Sequence, residues 1–402
     1  MTALSLALAF LRRRWGQALL CVLVGALGIA AIESVSIAAR ELPRAAERAF
    51  GGVDLVIGPK GSALDLVLCC ALHVSEPRGL VPLAPALALA HHPLVRAAAP
   101  IGLGDNIAGW RIVGTTPALL DVYRAQIAQG RLWQKPMEAV LGAQIASALR
   151  LKPGDHFVGA HGLAPGGEQH SEFPYSVTGI LAPTGTALDR LVLTDIESVF
   201  LIHRHHEAEE AAAQGLPAPM QPPPAASAIL LAYRSPVAMA LLPRLIDASD
   251  QFSAASPPLE TARLARAARP VVTAIMSLGI LFAVIAAAAA ATALMANLAA
   301  RARDLALLRA LGAHPLELSL IAFAEGLLIA MGAVALGLVL SLIVGLFAER
   351  YLAGHAGLLF SASPSLNDTI WIILGAVLAA LSAALIPALR AAHAPIETVL
   401  TT

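Results

Sequence analysis

The stretch VVTAIMSLGILFAVIAAAAAATALMANLAA, residues 271–300, holds no charged side chain between Pro270 and Arg301. An α-helix rises 1.5 Å per residue, so about 20 apolar residues cross the hydrocarbon core of a bilayer. The stretch therefore reads as a membrane span. Three more segments meet the same test. The first runs from Gln17 to Ile32 and continues past Glu33 to Ala39; the others are Gly326 to Ala348 and Thr369 to Leu389. The third span carries Gly332, Gly337 and Gly345. Small residues of this kind let helices approach closely in lipid, where no hydrophobic force drives them together.

Composition agrees with this pattern. The chain has 402 residues, of which 57% are hydrophobic, 13% charged and 4% aromatic. Charged residues make up about 25% of an ordinary soluble domain. The 27 basic residues balance 27 acidic ones, so no global field exists to attract a polyanion, and nucleic acid is excluded as a partner. Three cysteines in a chain of this length make no disulfide framework.

Working outward, the arginines orient the spans. Arg12, Arg13 and Arg14 precede the first, Arg301, Arg303 and Arg309 separate the second and third, and Arg390 follows the fourth. The short loop between the third and fourth spans carries only Arg350. Arginine-rich short flanks stay in the cytoplasm. Both termini and the 301–315 loop are thus expected inside, and residues 40–269 and 349–368 outside. The apolar run after Arg14 is longer than the core of a signal peptide, so it is expected to be a retained helix, led in by an interfacial helix over ALSLALAFL.

Residues 40–269 are too long and too patterned for a loop. VDLVIG (53–58), GWRIVGT (109–115), PYSVTGIL (174–181) and AILLAYRS (228–235) read as strands. MEAVLGAQIASAL (137–149) reads as a helix, LVLTDIESVF (191–200) as a strand entering a helix, and PVAMALLPRLIDA as a helix opened by Pro236. The mixture predicts an α+β domain. The run from Glu207 to Ser227, rich in Ala, Pro and Gln, reads as a flexible insertion. The predicted architecture is four transmembrane helices plus an extracytoplasmic α+β domain. Its divisions are 1–39 (interfacial helix and first span), 40–269 (outer domain), 270–300 (second span), 301–315 (cytoplasmic helix), 316–348 (third span), 349–368 (outer loop) and 369–402 (fourth span and tail).

No catalytic constellation is legible. There is no GxSxG elbow, no HExxH pair and no phosphate loop, since GPKGS around Lys60 lacks the required spacing. No catalytic residue and no resident cofactor are assigned, and any ATP chemistry must come from another chain. Histidines are the one suggestive feature. HRHHEAEE places His203, His205 and His206 beside Glu207, Glu209 and Glu210, and imidazole with carboxylate suits zinc or a similar ion. The same run could equally be a solvated polar segment, since its spacing matches no closed zinc motif. His161 and His170 flank a second, Gly-rich stretch. Cys69 and Cys70 read as buried thiols, and Cys21 as packing within the first span. Glu33 and Glu325 are the intramembrane acids. Each lies near a span end, from which it is expected to reach the interface.

Between the second and third spans, RARDLALLRALGA forms a short amphipathic pattern. Leu305, Leu307, Leu308 and Leu311 line one side, and Arg301, Arg303, Asp304 and Arg309 the other. Gly312 fits the residue just past a helix end, and Pro315 the first turn of the next helix. Such a helix either lies on lipid or fits a groove on a cytoplasmic partner.

This segment, followed by Glu325 and the glycine-spaced third span, resembles the permease signature of the MacB/FtsX/LolC–LolE superfamily of ABC transporters. PALRAAHAPIETVL, with Pro387, Ala388, Pro395 and Ile396, is similar to that family's closing motif. GVDLVIGPKGS looks like the strand opening the family's porter domain, and the order of one span, a large outer domain and three spans also matches. Asp304 stands where glutamate is more usual, and the His-rich run is not a general family feature.

The resemblance implies a location in a bacterial inner membrane, with the large domain in the periplasm. It implies that residues 301–312 are a coupling helix docking on a dimer of a separate ABC ATPase, which would hold ATP and Mg²⁺. Arg303, Asp304 and Arg309 would be its polar contacts, Leu305 and Leu308 its apolar ones, and Gly312 its end. A second permease chain, identical or related, would complete the assembly, with membrane lipid around it and a periplasmic carrier or substrate-binding protein as a further partner. ATP-driven motion would pass to the outer domain, a mode termed mechanotransmission. The cargo stays open among lipoprotein, lipid, peptide and metal-related substrates. Two other readings stay open: an FtsX-like regulator of an extracytoplasmic enzyme, and a component of a zinc transport system using the histidines.

Overall fold

The computed structural model describes residues 3–13, 15–162, 167–214, 223–300, 315–355 and 358–392. The chain divides into two compact units. One comprises residues 1–42, 267–350 and 360–402; the other comprises 43–266 and 351–359.

Helices α1 (Ala3–Arg13) and α2 (Trp15–Phe50) open the chain. The outer domain then runs β1 (Leu55–Pro59), α3 (Ala63–Leu66), a π-helical turn (Val67–Ala71), β2 (Val81–Pro82) and α4 (Leu83–Ala90). Next come β3 (Val95–Ile107), β4 (Trp110–Thr115), α5 (Ala118–Tyr123), β5 (Ile127–Gly130), β6 (Glu138–Leu141) and α6 (Ala143–Leu149). They are followed by β7 (His156–Phe157), β8 (Ala160–His161), β9 (Tyr175–Leu181), β10 (Leu191–Asp195) and α7 (Ile196–Ala213). The domain closes with β11 (Ala225–Ala226), β12 (Ala228–Tyr233), α8 (Pro236–Asp247) and β13 (Phe252–Ala255). Three long helices complete the chain: α9 (Pro257–Ala300), α10 (Pro315–His355) and α11 (Leu366–Ala392).

The main sheet has the order β13-β1-β12-β3-β4-β10-β6-β9-β5, with β7 added on β9 and β8 on β3. Most neighbours are antiparallel, but β4/β10 and β6/β9 are parallel. Helices cover both faces, which explains why the central strands read as unbroken apolar runs. Along β1 and β12 successive residues enter opposite cores. Val56 and Leu230 pack with Phe50, Cys70 and Leu119, whereas Leu55, Ile57, Ile229 and Leu231 pack with Ala86, Leu242, Ile246 and Phe252. A third cluster joins Ile112, Leu141, Ile145, Tyr175, Val192 and Ile202.

Two local expectations need correction. Residues 137–149 are not one helix: Glu138–Leu141 forms β6, and the helix starts only at Ala143, after Gly142. Glu138, Ala139, Val140 and Leu141 are all buried, so this run pairs in the sheet centre, where tertiary burial overrides helical propensity. The start of the run read as a flexible insertion is also ordered: α7 continues through HRHHEAEE to Ala213, a stretch whose Glu and Ala residues are good helix formers.

In the helical unit, α2, α9, α10 and α11 are each long and apolar enough to cross a membrane. Their inner faces are small. Gly28 lies against the Gly279 carbonyl so closely that an added Cβ would sit 2.7 Å from it. Gly25 faces Ala333, and Gly337 faces Ile29 and the Ala26 carbonyl. Thus α2 packs against both α9 and α10 through small residues. Leu20, Leu27, Ile280, Val284 and Phe347 point outward instead. Prolines lie within α2 (Pro43) and α9 (Pro270), each removing one backbone donor from its helix.

Candidate functional site

In the outer domain, three separate chain segments bring ionisable groups together. Strand β3 carries Asp105, buried in the sheet, just after a bulge between Leu103 and Asp105. The short strand β8 pairs with β3 so that His161 stands directly opposite Asp105. Cross-strand partners share a face, so both side chains project to the same side. Asn106, the next residue on β3, fixes that strand by donating from Nδ2 to the carbonyls of Ala160 and Gly162. The Gly162 backbone N–H in turn donates to the Gly104 carbonyl. His170 is held by its backbone N–H, which donates to the Gly159 carbonyl.

The resulting distances are short. His170 Nε2 lies 3.3 Å and His161 Nδ1 3.8 Å from Asp105 Oδ1. Asp105, His161 and His170 offer ligand atoms that all lie within 4.8 Å of one another. Among the described residues, the Asp105 oxygens, His161 Nδ1 and His170 Nε2 make no closer polar contact than these. Burial pushes the Asp105 carboxyl above its ordinary range, and the imidazoles of His170, His203 and His161 pull it back down. Burial also pushes the Tyr175 phenol up, helped by the Asp105 charge.

Helix α7 supplies the third wall. It packs closely because β4 presents Gly114, where a Cβ would meet Val199 at 2.5 Å. Next to Asp105, Gly104 leaves room for His203, whose Nε2 lies 2.6 Å from where a Cβ would sit. His203 and His206, three residues apart, share one helix face. The His161 ring stacks on His206 with centroids 5.1 Å apart and meets His203 edge-on at 6.2 Å. His170 stands 5.8 Å from His161 and 6.5 Å from His206.

The three histidines singled out in HRHHEAEE therefore separate. His203 and His206 face the cluster, while His205 turns to Glu172, 3.1 Å away, and to the Phe173 ring. Asp105 was invisible to local reading because it comes from a strand about a hundred residues earlier. One signal was available: an acid set within the otherwise apolar strand run of PIGLGDNI, which must find partners when buried. Cys69 and Cys70 are buried in the π-helical turn, with Cys70 Sγ donating to Cys69 Sγ at 3.0 Å.

In the helical unit Glu33 and Glu325 are both buried among the protein's own side chains. Packing around α2 encloses Glu33; the Thr369 hydroxyl donates to the Ser365 carbonyl at 3.0 Å and lies 3.5 Å from Glu33 Oε1. Nearby, Ser34 Oγ donates to Ser341 Oγ at 3.3 Å, and Arg40 pairs with Asp368. The coupling-helix residues Arg303, Asp304, Leu305, Leu308, Arg309 and Gly312 lie outside the described residues, as do Pro395 and Ile396.

A bundle of apolar helices with a mixed-sheet domain inserted after the first span defines a membrane protein with a large extramembrane domain. Residues 18–248 match the family model of the MacB-like periplasmic core domain, and residues 276–396 that of the FtsX-like permease C-terminal region. The chain belongs to this family of MacB-type, FtsX-like ABC transporter permeases. Two solved structures are similar. The periplasmic region of MacB from Actinobacillus actinomycetemcomitans is 14% identical, with a TM-score of 0.34 over 54% of this chain and 94% of that one. The extracellular domain of the noncanonic ABC-type transporter YknZ from Gram-positive bacteria is 11% identical, with a TM-score of 0.29 over 50% of this chain and 98% of that one. No curated protein matches the sequence. Permeases of this family are not themselves enzymes; they work with ABC ATPase partners and often dimerise.

Proposed function

We propose that this chain is the permease subunit of an ABC system, coupling ATP hydrolysis in a separate ATPase to motion of its own outer domain. The observation carrying the reading is the order of the two family matches, core domain first and permease region second, over one chain. Three features of the molecule support it. Helices α2, α9 and α10 each contribute residues to both compact units. Rigid helices of this kind can carry a two-state movement. Among the described residues of the helical unit the buried acids are Glu33, Glu41 and Glu325, few for a polar conduction path, which favours transmitted motion over passage through the bundle. The amphipathic run from Arg301 to Gly312 supplies the cytoplasmic handle, with Leu305 and Leu308 as apolar contacts and Asp304 and Arg309 as polar ones. The membrane is the bacterial inner membrane, the outer domain lies in the periplasm, and two permease chains stand on two ATPase subunits.

The test is copurification. The chain, solubilised from a membrane expressing its cognate ATPase, should bring down that ATPase. Leu308→Asp combined with Arg309→Glu should abolish the complex while leaving the chain's membrane insertion unchanged. An intact complex in the double variant overturns the coupling assignment.

A further inference from the structure

We propose that Asp105, His161 and His170 form a binding site for a divalent transition-metal ion of the zinc type, in the outer domain. This goes beyond the coupling reading and does not depend on it.

Asp105 anchors the site from within the sheet. Among the described residues, a buried carboxylate that faces imidazole nitrogens at 3.3 and 3.8 Å and has no closer polar contact is costly unless a cation neutralises it. The groups aimed at it are two imidazole nitrogens, His161 Nδ1 and His170 Nε2, that make no shorter hydrogen bond among the described residues. Three lone-pair atoms facing one another are poor neighbours for themselves and good ligands for an ion.

The spacing of the ligand atoms also suits an ion. A charge-assisted His–Asp hydrogen bond brings nitrogen and oxygen to about 2.7–2.9 Å. Zinc–ligand lengths of about 2.0–2.2 Å at tetrahedral angles put ligand atoms about 3.4 Å apart. The observed separations from Asp105 Oδ1 are 3.3 Å for His170 and 3.8 Å for His161. Two imidazoles with one carboxylate favour zinc and its first-row neighbours over magnesium or calcium, which prefer oxygen ligands. His206, stacked on His161, and His203, seated over Gly104, extend the imidazole lining on the α7 side.

An ion here would join β3, the β8 strand and the segment carrying His170, so it would also stabilise the folded domain in proportion to its occupancy.

The experiment uses the full-length chain in nanodiscs, purified without a polyhistidine tag and stripped with chelator. Cobalt(II) is the spectroscopic probe, with zinc and magnesium as competitors. One cobalt per chain should bind saturably, giving visible absorption that zinc removes and magnesium does not. Asp105→Asn and His161→Ala should each weaken binding by about 100-fold or more, since even groups that only support a ligand are worth about 10–100-fold. His205→Ala, at the Glu172 contact, should leave affinity within about twofold. Zinc should raise the melting temperature of the unmodified chain and not that of the His161→Ala chain. His161 has the most exposed side chain of the three, so its variant decides the question if Asp105→Asn does not fold. Absence of saturable uptake overturns the site, as does uptake that survives in His161→Ala or falls equally in His205→Ala. The readout needs no ATPase, so failure here leaves the coupling reading untouched.

Discussion

The outer domain and the helical unit differ in where their large apolar side chains lie. In the outer domain Leu55, Ile57, Ile112, Leu141 and Leu193 are fully enclosed between the sheet and its helices. In the helical unit most of the described buried residues are small, such as Ala26, Ala290, Ala333 and Ala384, with Ile29, Ile37, Leu294 and Ile329 among the larger ones, while Leu20, Leu278, Ile280 and Phe347 are exposed. The difference follows from the solvent. Water drives large apolar groups inside, whereas lipid tails accept them, leaving close backbone approach as the packing gain. Each unit also encloses an acid: Glu33 Oε1 lies 3.5 Å from the Thr369 hydroxyl, and Asp105 faces the imidazoles of His161 and His170.

The largest expected effect tests the first half of the comparison. Leu193→Ala should cost the outer domain about 2–5 kcal/mol, as removal of an enclosed leucine does. Leu278→Ala, on an outward face, should change stability by less than about 0.5 kcal/mol. Hydrogen exchange of the full chain, read separately in β10 and α9, distinguishes them. The second test inverts the size rule. Gly28→Leu should destabilise the helical unit by about 1–3 kcal/mol through overpacking against Gly279, measured by its thermal aggregation in detergent. Gly16→Leu, with open space around it, should have no measurable effect.

A third, smaller effect depends on pH. The Arg131 guanidinium beside Glu138 holds that carboxyl at about 2, below its ordinary 4.5. A depressed folded value means the pair stabilises the outer domain above about pH 4.5, with the contribution lost as pH falls from there toward 2. Glu138→Gln should therefore flatten the acid limb of outer-domain unfolding followed by tryptophan fluorescence. Half exposure of Arg131 keeps the effect modest. The smallest effect concerns Glu33. Thr369→Val should cost less than about 1 kcal/mol in the helical unit, since the hydroxyl's closer acceptor is the Ser365 carbonyl of its own chain segment and Glu33 Oε1 lies farther away, in the same detergent assay.

The two units also differed in how far their sequences could be read. Spans are written in one dimension, so Val271 to Ala300 announces its helix without help from the rest of the chain. The glycine pattern at Gly332 and Gly337 likewise announced packing by small residues. Strands with both faces covered, such as β1 and β12, were legible as apolar runs. Residues 137–149 were not, because AVLGAQIASAL carries helical and strand residues in similar measure and only pairing with β9 and β10 decides. The histidine cluster was half legible. HRHHEAEE showed imidazoles, but their helical phase, which turns His203 and His206 one way and His205 another, needs the element assigned first. Asp105 needed the β3–β8 register, which no local pattern contains.

Transmitted motion can be read in a single distance across the assembly. Cys21, Cys69 and Cys70 are all buried, so a nitroxide can be placed selectively at Lys152→Cys, an exposed position on the outer domain. In the proposed assembly, two identical copies of this chain with an ATPase would give one label pair, read by pulsed electron resonance. The account predicts a distance that shifts between the nucleotide-free and ATP-trapped states, and no shift when Leu308→Asp and Arg309→Glu are present. An identical distance distribution in both nucleotide states, with the complex intact, would contradict it.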